Sequence, residues 1–352
     1  MGRAGRRAAV ENPRGVIVDA RVQICPKQMM HGPCGGVRAD LSCEVGSLPC
    51  PFARFSRPRE WTGGDRVGTA RSGSVVLDRV ARAAPVVLTD LTTEPYDRAG
   101  TAAVLAALRG SCDTVLVADH QDQPDFPPTL TAAVLRDAGV PGWLTLTCRD
   151  RNEVVLDQEL AGLAEVGVDG VLCVTGDARG PGVRAGARQV FDLDGTRLAA
   201  RAAAVGLPVA VAEAPEAPPT GVRPSRLRVK QQAGAHLGVL NHVSSAAAVS
   251  AFVTAARVVG VNLSGRATAV WSLAHHIRGA SEVGAEIQAG LSRGRGHGPH
   301  EGEGGASGDN VQAPTWWPPR TGGPHRRDDW GPARDAPAGN AHSRTEARPG
   351  HP

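Results

Sequence analysis

The segment "CPKQMMHGPCGGVRADLSCEVGSLPC", residues 25–50, holds four of the chain's seven cysteines. Cys25, Cys34, Cys43 and Cys50 are separated by eight, eight and six residues. That spacing differs from the paired C-x-x-C knuckles of common zinc sites. A metal site, a disulfide staple and a loop of buried thiols all fit it. Two glycines after Cys34 free backbone N–H groups that could hydrogen-bond a thiolate ligand. Lys27 and His31 could favour the thiolate, and His31 could replace Cys50 as the fourth ligand. A metal module using Cys25, Cys34, Cys43 and Cys50, holding zinc or an iron–sulfur cluster, is one of these readings, and spacing alone does not select it.

A second set of polar residues falls at regular places further along. Short apolar runs end in Asp90, Asp119, Asp177, Glu213 and Asn241, with Asp150 just past another. These runs are the strand candidates 85–91, 113–119, 142–148, 169–177, 207–213 and 236–243. Ala-rich helical runs lie between them, and most of these stop at glycine. Strands apolar on both faces and joined by helical crossovers make a parallel sheet covered by helices. The predicted fold is α/β, a (β/α)8 TIM-barrel-like sheet, incomplete at about six recognisable strands, behind a small Cys-rich module. In such a fold the polar rim at the C-terminal strand ends carries the chemistry.

Composition divides the chain. Residues 1–20 form a flexible start, 21–70 the Cys-rich module, 84–262 the barrel, 263–290 an uncertain stretch and 291–352 a tail. The tail is Gly-, Pro-, Arg- and His-rich and too poor in aliphatic residues to offset its ordering entropy. The loss of the β–α pattern near residue 262 is what translation in a wrong frame would produce. Net charge is +4, too mild to suggest a nucleic-acid partner. No run of about 18 apolar residues is present, and the start lacks the apolar stretch of a signal peptide. A cytoplasmic protein without a membrane partner is expected. Thiols stay reduced there, which makes the disulfide staple the weakest reading. Of 39 basic residues only Lys27 and Lys230 are lysine.

The stretch "WLTLTCRDRNEVVLDQELAGLAEVGVDGVLCVTGD", followed by "RVKQQAGAHLGVLNHV", resembles methylenetetrahydrofolate reductase over roughly residues 85–262. The "CPKQMMHGPCGG" motif is similar to a Cys-rich module fused to, or partnering, such reductases. The resemblance implies flavin-dependent reduction of 5,10-methylenetetrahydrofolate to 5-methyltetrahydrofolate in one-carbon and methionine metabolism. It implies FAD, a folate substrate, and a nicotinamide or other reductant. Asp90, or Glu94 from the following loop, and Asp177 would be catalytic. Thr145, Thr147, Gly176, Asp177 and Lys230 would hold the cofactor, and Asn241 the pterin. The shorter Asp90 stands where the family has Glu, and Asn241 where it has Gln. These departures leave a second reading: a non-catalytic or degenerate member whose module docks to another redox protein.

Overall fold

In the computed structural model, residues 9–11, 17–19, 25–63, 73–82, 84, 86–120, 123–178, 187–262 and 270–271 are described. Residues 291–352, all of 263–290 except 270–271, and most of 1–20 lie outside them, and so do the expectations placed there. A short antiparallel pair, β1 (Ala9–Glu11) and β2 (Ile17–Asp19), comes first.

The sheet is parallel throughout and its strands lie side by side in chain order. They are β3 (Leu88–Leu91), β4 (Thr114–Val117), β5 (Gly142–Thr147), β6 (Gly170–Val174), β7 (Val209–Glu213), β8 (Leu237–Leu240) and β9 (Val270–Trp271). Helices α2 (Arg98–Leu108), α3 (Pro128–Ala138), α4 (Glu153–Val166), α5 (Gly195–Ala204), α6 (Arg223–Gln232) and α7 (Ala246–Val258) make the crossovers. All six strand candidates are therefore strands, each shorter than its apolar run. The sheet curls into an open half-barrel, as expected of an incomplete TIM-barrel-like fold. Its edges are β3 and β9.

Local sequence starts and stops each helix. Asp97, Asn152, Asp194 and Ser245 accept hydrogen bonds from first-turn amides of α2, α4, α5 and α7, satisfying donors the helix leaves open. Gly139 and Gly167 end α3 and α4 at φ +69° and +80°, which glycine adopts without steric cost.

Two apolar layers follow from the strands' two faces. Leu144, Leu146, Val171, Val209 and Val211 pack outward against Leu135, Leu156, Leu160, Leu163 and Leu198 of the helices. Leu116, Trp143, Leu172, Ala210, Leu237 and Val239 face inward. The inward layer is closed by a helix the apolar runs do not predict, α1 (Val75–Ala81), whose Val76 and Val80 pack into it. Asp169, just before β6, fixes that helix. Its Oδ1 accepts from the Val75 amide at 2.5 Å, and its Oδ2 accepts from the Trp143 indole N–H. Burial raises the Asp169 carboxyl pKa, while those N–H donors and Ser74 favour the charged form. Among the described residues no helix is long and apolar enough to cross a membrane.

Asp169 thus anchors both the helix start and the indole, and its loss leaves two donors without their acceptor. Asp169→Ala is expected to lower stability by about 2–4 kcal/mol, since each unsatisfied buried donor costs roughly 1–3 kcal/mol. Urea unfolding followed by tryptophan fluorescence measures it. A change below about 0.5 kcal/mol would show that α1 is not held this way.

Candidate functional site

The C-terminal strand ends do form a polar mouth, and the Cys-rich module roofs it. Lys27 Nζ donates to the Gly176 carbonyl at 2.6 Å. The Met30 amide donates to Asp194 Oδ2 at 2.8 Å. The Thr175 hydroxyl contacts Met29 Sδ at 3.6 Å. Arg223 Nη1 donates to the Pro33 and Cys34 carbonyls at 3.3 and 3.0 Å. Lys27 and Met29 are buried in this contact. Between roof and strand ends lies a cavity of about 580 Å³. The module supplies Lys27, Met29, Cys34, Gly35, Gly36 and Glu44 to its wall. The barrel supplies Asp119, Thr145, Arg149, Asp177, Glu213, Arg226, Lys230 and Asn241, among others.

The strongest electrostatic feature is on the β7–α6 side. Glu213 ends β7 and is buried at 3% exposure. Arg223, Arg226 and Lys230 project from α6 and are also buried. Lys230 Nζ lies 2.8 Å from Glu213 Oε2, Arg223 Nη1 3.2 Å from Oε1, and Arg226 Nε 3.6 Å from Oε2. Their spacing along α6, three and four residues apart, puts all three on one helix face. Burial opposes ionisation of Glu213, but Lys230, Arg226 and Arg223 outweigh it and hold the carboxyl down at about 2. For Lys230 the balance differs. Burial lowers its pKa, Glu213 opposes that, and the two arginines lower it further, to about 8. One carboxylate therefore faces three buried cations. Arg226 Nη1, buried, has no hydrogen-bond partner among the described residues.

The opposite wall is internally neutralised. Asp119 accepts from the Thr147 hydroxyl and from Arg151 Nη1, the latter at 2.9 Å. Arg149 Nε donates to Asp150 at 2.8 Å and its Nη2 to the His120 carbonyl at 2.9 Å. Thr145 and Thr147 both line the cavity, and the Thr147 hydroxyl is held by Asp119. Gly176 stands at φ +90°, where a Cβ would come within 3.1 Å of Thr147 and Arg149.

The proposed catalytic carboxylates are not brought together. Asp90 and Glu94 are exposed and do not line the cavity. Asp90 lies on the edge strand β3, paired with Leu116 below the strand end, while the cavity sits over the ends of β4 to β8. Asp177 lines the wall, but its side chain is 74% exposed, with Lys27 Nζ 3.9 Å away. Asn241 is at the wall, and its amide donates to the Glu213 carbonyl at 2.8 Å.

The four cysteines are not gathered as a metal-ligand set. Among the described residues no group of three or more His, Cys, Asp or Glu side chains is placed to hold a metal ion. Cys25, Cys43 and Cys50 are buried in the module; Cys25 and Cys50 pack with Met29, Val37 and Phe52, and the half-buried Cys34 lies against the same cluster. Burial raises the Cys25 and Cys50 thiols. Cys34 is turned to the cavity, and its Sγ donates to Glu44 Oε1 at 3.1 Å. His31 Nδ1 sits 3.1 Å from the Arg59 carbonyl.

No family model matches the chain, and no curated protein matches it. Solved structures similar to it include a 2,3-dimethylmalate lyase described as a PEP mutase/isocitrate lyase superfamily member. That likeness has TM-score 0.39 and 13% identity, over 62% of this chain and 86% of the other. An oxaloacetate acetylhydrolase follows at TM-score 0.38 and 15%, over 65% and 88%. An uncharacterised protein from Clostridium thermocellum that binds two copies of 5-methyl-5,6,7,8-tetrahydrofolic acid gives 0.39 and 14%, over 57% and 70%. None of these likenesses carries an activity over to this chain. The expectation of a methylenetetrahydrofolate reductase is corrected: no family model matches, and the superfamily named among the neighbours is PEP mutase/isocitrate lyase. Flavin-dependent folate reduction therefore does not stand as the activity of this chain.

Glu213 has its folded pKa below the ordinary carboxyl value of 4.5. Its stabilising contribution is full above pH 4.5 and is lost as pH falls towards 2. Between pH 6 and pH 3 the native protein should lose more stability than Glu213→Gln, by on the order of 2 kcal/mol. Urea midpoints at the two pH values measure this. Equal losses in both proteins would contradict the charged cluster.

Proposed function

We propose that the protein is an enzyme that binds a small organic oxyanion, carboxylate or phosphate, in the roofed mouth and moves a proton to or from it. The observation that carries this reading is the buried group of three cations around the single carboxylate of Glu213, at the wall of a 580 Å³ cavity. Buried charge is costly unless compensated. Glu213 compensates one of the three cations, so the cluster favours a second anion. Arg226 suits the role, because a guanidinium offers planar, paired donors to carboxylate or phosphate oxygens. A cavity of this size holds a small metabolite.

Lys230 supplies the proton chemistry. Its ammonium is drawn down to about 8, near enough to neutrality to release and regain a proton during turnover. It lines the cavity, and its Nζ is steadied by Glu213 and by the Ala212 carbonyl. The module covers part of the mouth, which limits solvent near the buried cluster and strengthens the electrostatics there. Its contacts through Lys27, Met30 and Pro33 are with this chain's own barrel. They favour a roof over its own site rather than a docking piece for a separate protein.

Isothermal titration calorimetry with oxalate and with inorganic phosphate tests the reading. At pH 7 at least one should bind, and Arg226→Ala should weaken it at least tenfold, about 1.4 kcal/mol. Raising the pH from 7 to 9 should also weaken it, because Lys230 loses its charge as the pH passes about 8. Absence of binding by both anions, or binding indifferent to Arg226→Ala, would overturn it.

A further inference from the structure

The roof contributes a side-chain arrangement of its own. Cys34 Sγ is 3.1 Å from Glu44 Oε1, and the same carboxylate oxygen is 2.5 Å from Lys27 Nζ. Lys27 is in turn fixed on the Gly176 carbonyl at 2.6 Å. All three line the cavity that Glu213 also lines. A thiol within reach of a carboxylate, which is itself oriented by a third group, is the pattern of an activated nucleophile. The backbone is shaped to permit it. A Cβ on Gly36 would lie 2.1 Å from the Glu44 carboxyl carbon. Only glycine lets Glu44 come up beside Cys34. A Cβ on Gly35 would meet Ala214 of the barrel at 3.3 Å, so the same turn brings the thiol down to the mouth.

We infer that Cys34 is a nucleophile for the bound anion, with Glu44 as its general base and Lys27 as the positioning residue. The substrate class is a small oxyanion that also carries a carbonyl carbon. Cys34 Sγ bonds to that carbon as the π pair of the C=O moves onto its oxygen. The thiol proton passes to Glu44, which returns it to the new alkoxide. The product is a thiohemiacetal or thiohemiketal, and nothing is oxidised or reduced. Burial, with Glu44 adding to it against Lys27, pushes the Cys34 thiol up to about 12. Proton removal therefore has to accompany attack, which gives Glu44 its task. The substrate's charge rests on the function proposed above; the thiol–carboxylate pair does not.

The experiment is alkylation of the full chain at pH 7 by neutral iodoacetamide and, separately, by iodoacetate, followed cysteine by cysteine with peptide mass spectrometry. In each case a C–S bond forms, iodide leaves, and the thiol proton goes to Glu44. Cys34 should react at least tenfold faster than the half-buried Cys112. Glu44→Gln should slow Cys34 at least tenfold with either reagent and leave Cys112 unchanged, and Glu44→Asp should restore part of the rate. Cys34 reacting no faster than Cys112, or as fast in Glu44→Gln as in the native chain, would overturn the nucleophile; should Glu44→Gln not fold, Glu44→Asp at the native rate would do so. Cys34 should also favour iodoacetate over iodoacetamide relative to Cys112, and Arg226→Ala should abolish that preference. Fast, Glu44-dependent labelling without the preference would uphold the nucleophile and overturn the anion site.

Discussion

The carboxylate of Glu213 is the group on which the mouth of this half-barrel depends. It ends a central strand and receives one ion pair each from three residues of the following helix. Without it, three cations would be buried with no counter-charge, and breaking a buried pair costs roughly 3–5 kcal/mol. The same cluster reaches the roof, because Arg223 holds Glu213 with the guanidinium nitrogen that also holds the Pro33 and Cys34 carbonyls. One side chain therefore joins strand, helix and module. Removing it would loosen the cavity and its cover together.

The roof answers the question raised by the opening cysteines in an unexpected way. Cys25 and Cys50 fill a small core with Met29 and Phe52, and Cys43 is buried as well; there a thiol serves as a compact apolar group. The fourth faces the cavity and is paired with Glu44. Of the glycines after Cys34, Gly36 turns its backbone N–H to the Cys34 sulfur. Their lack of side chains lets a carboxylate and the barrel approach closely. Glycine spacing reads alike for both purposes in a sequence, and only the identity of the neighbouring atom separates them.

Much of the barrel was legible because parallel strands need apolar residues on both faces, and runs such as "DGVLCVTGD" supply them between glycine-ended helices. Helix α1 was not, since seven residues in "VVLDRVA" are too few to establish a period. The polar strand ends marked the end of the sheet at which the cavity lies, yet they could not rank themselves. Asp90 sits on the edge strand β3 away from that cavity, whereas Glu213 lines it with three cations of α6 beside its carboxylate. Lys230 stood out as one of two lysines. Arg223 and Arg226 were hidden among 37 arginines (39 basic residues less two lysines), where composition masks any single functional one. The family resemblance followed local motifs faithfully but misjudged what they surround.

The two lysines also provide the most direct test. With 13Cε-labelled lysine the protein gives one signal from Lys27 and one from Lys230, assigned by Lys27→Arg. The Lys230 signal should titrate near pH 8 in the free protein and shift to higher pH when oxalate or phosphate is added, because a bound anion favours the ammonium. A Lys230 signal titrating at the ordinary lysine value of about 10.5, or one that neither anion moves, would contradict the buried cationic site.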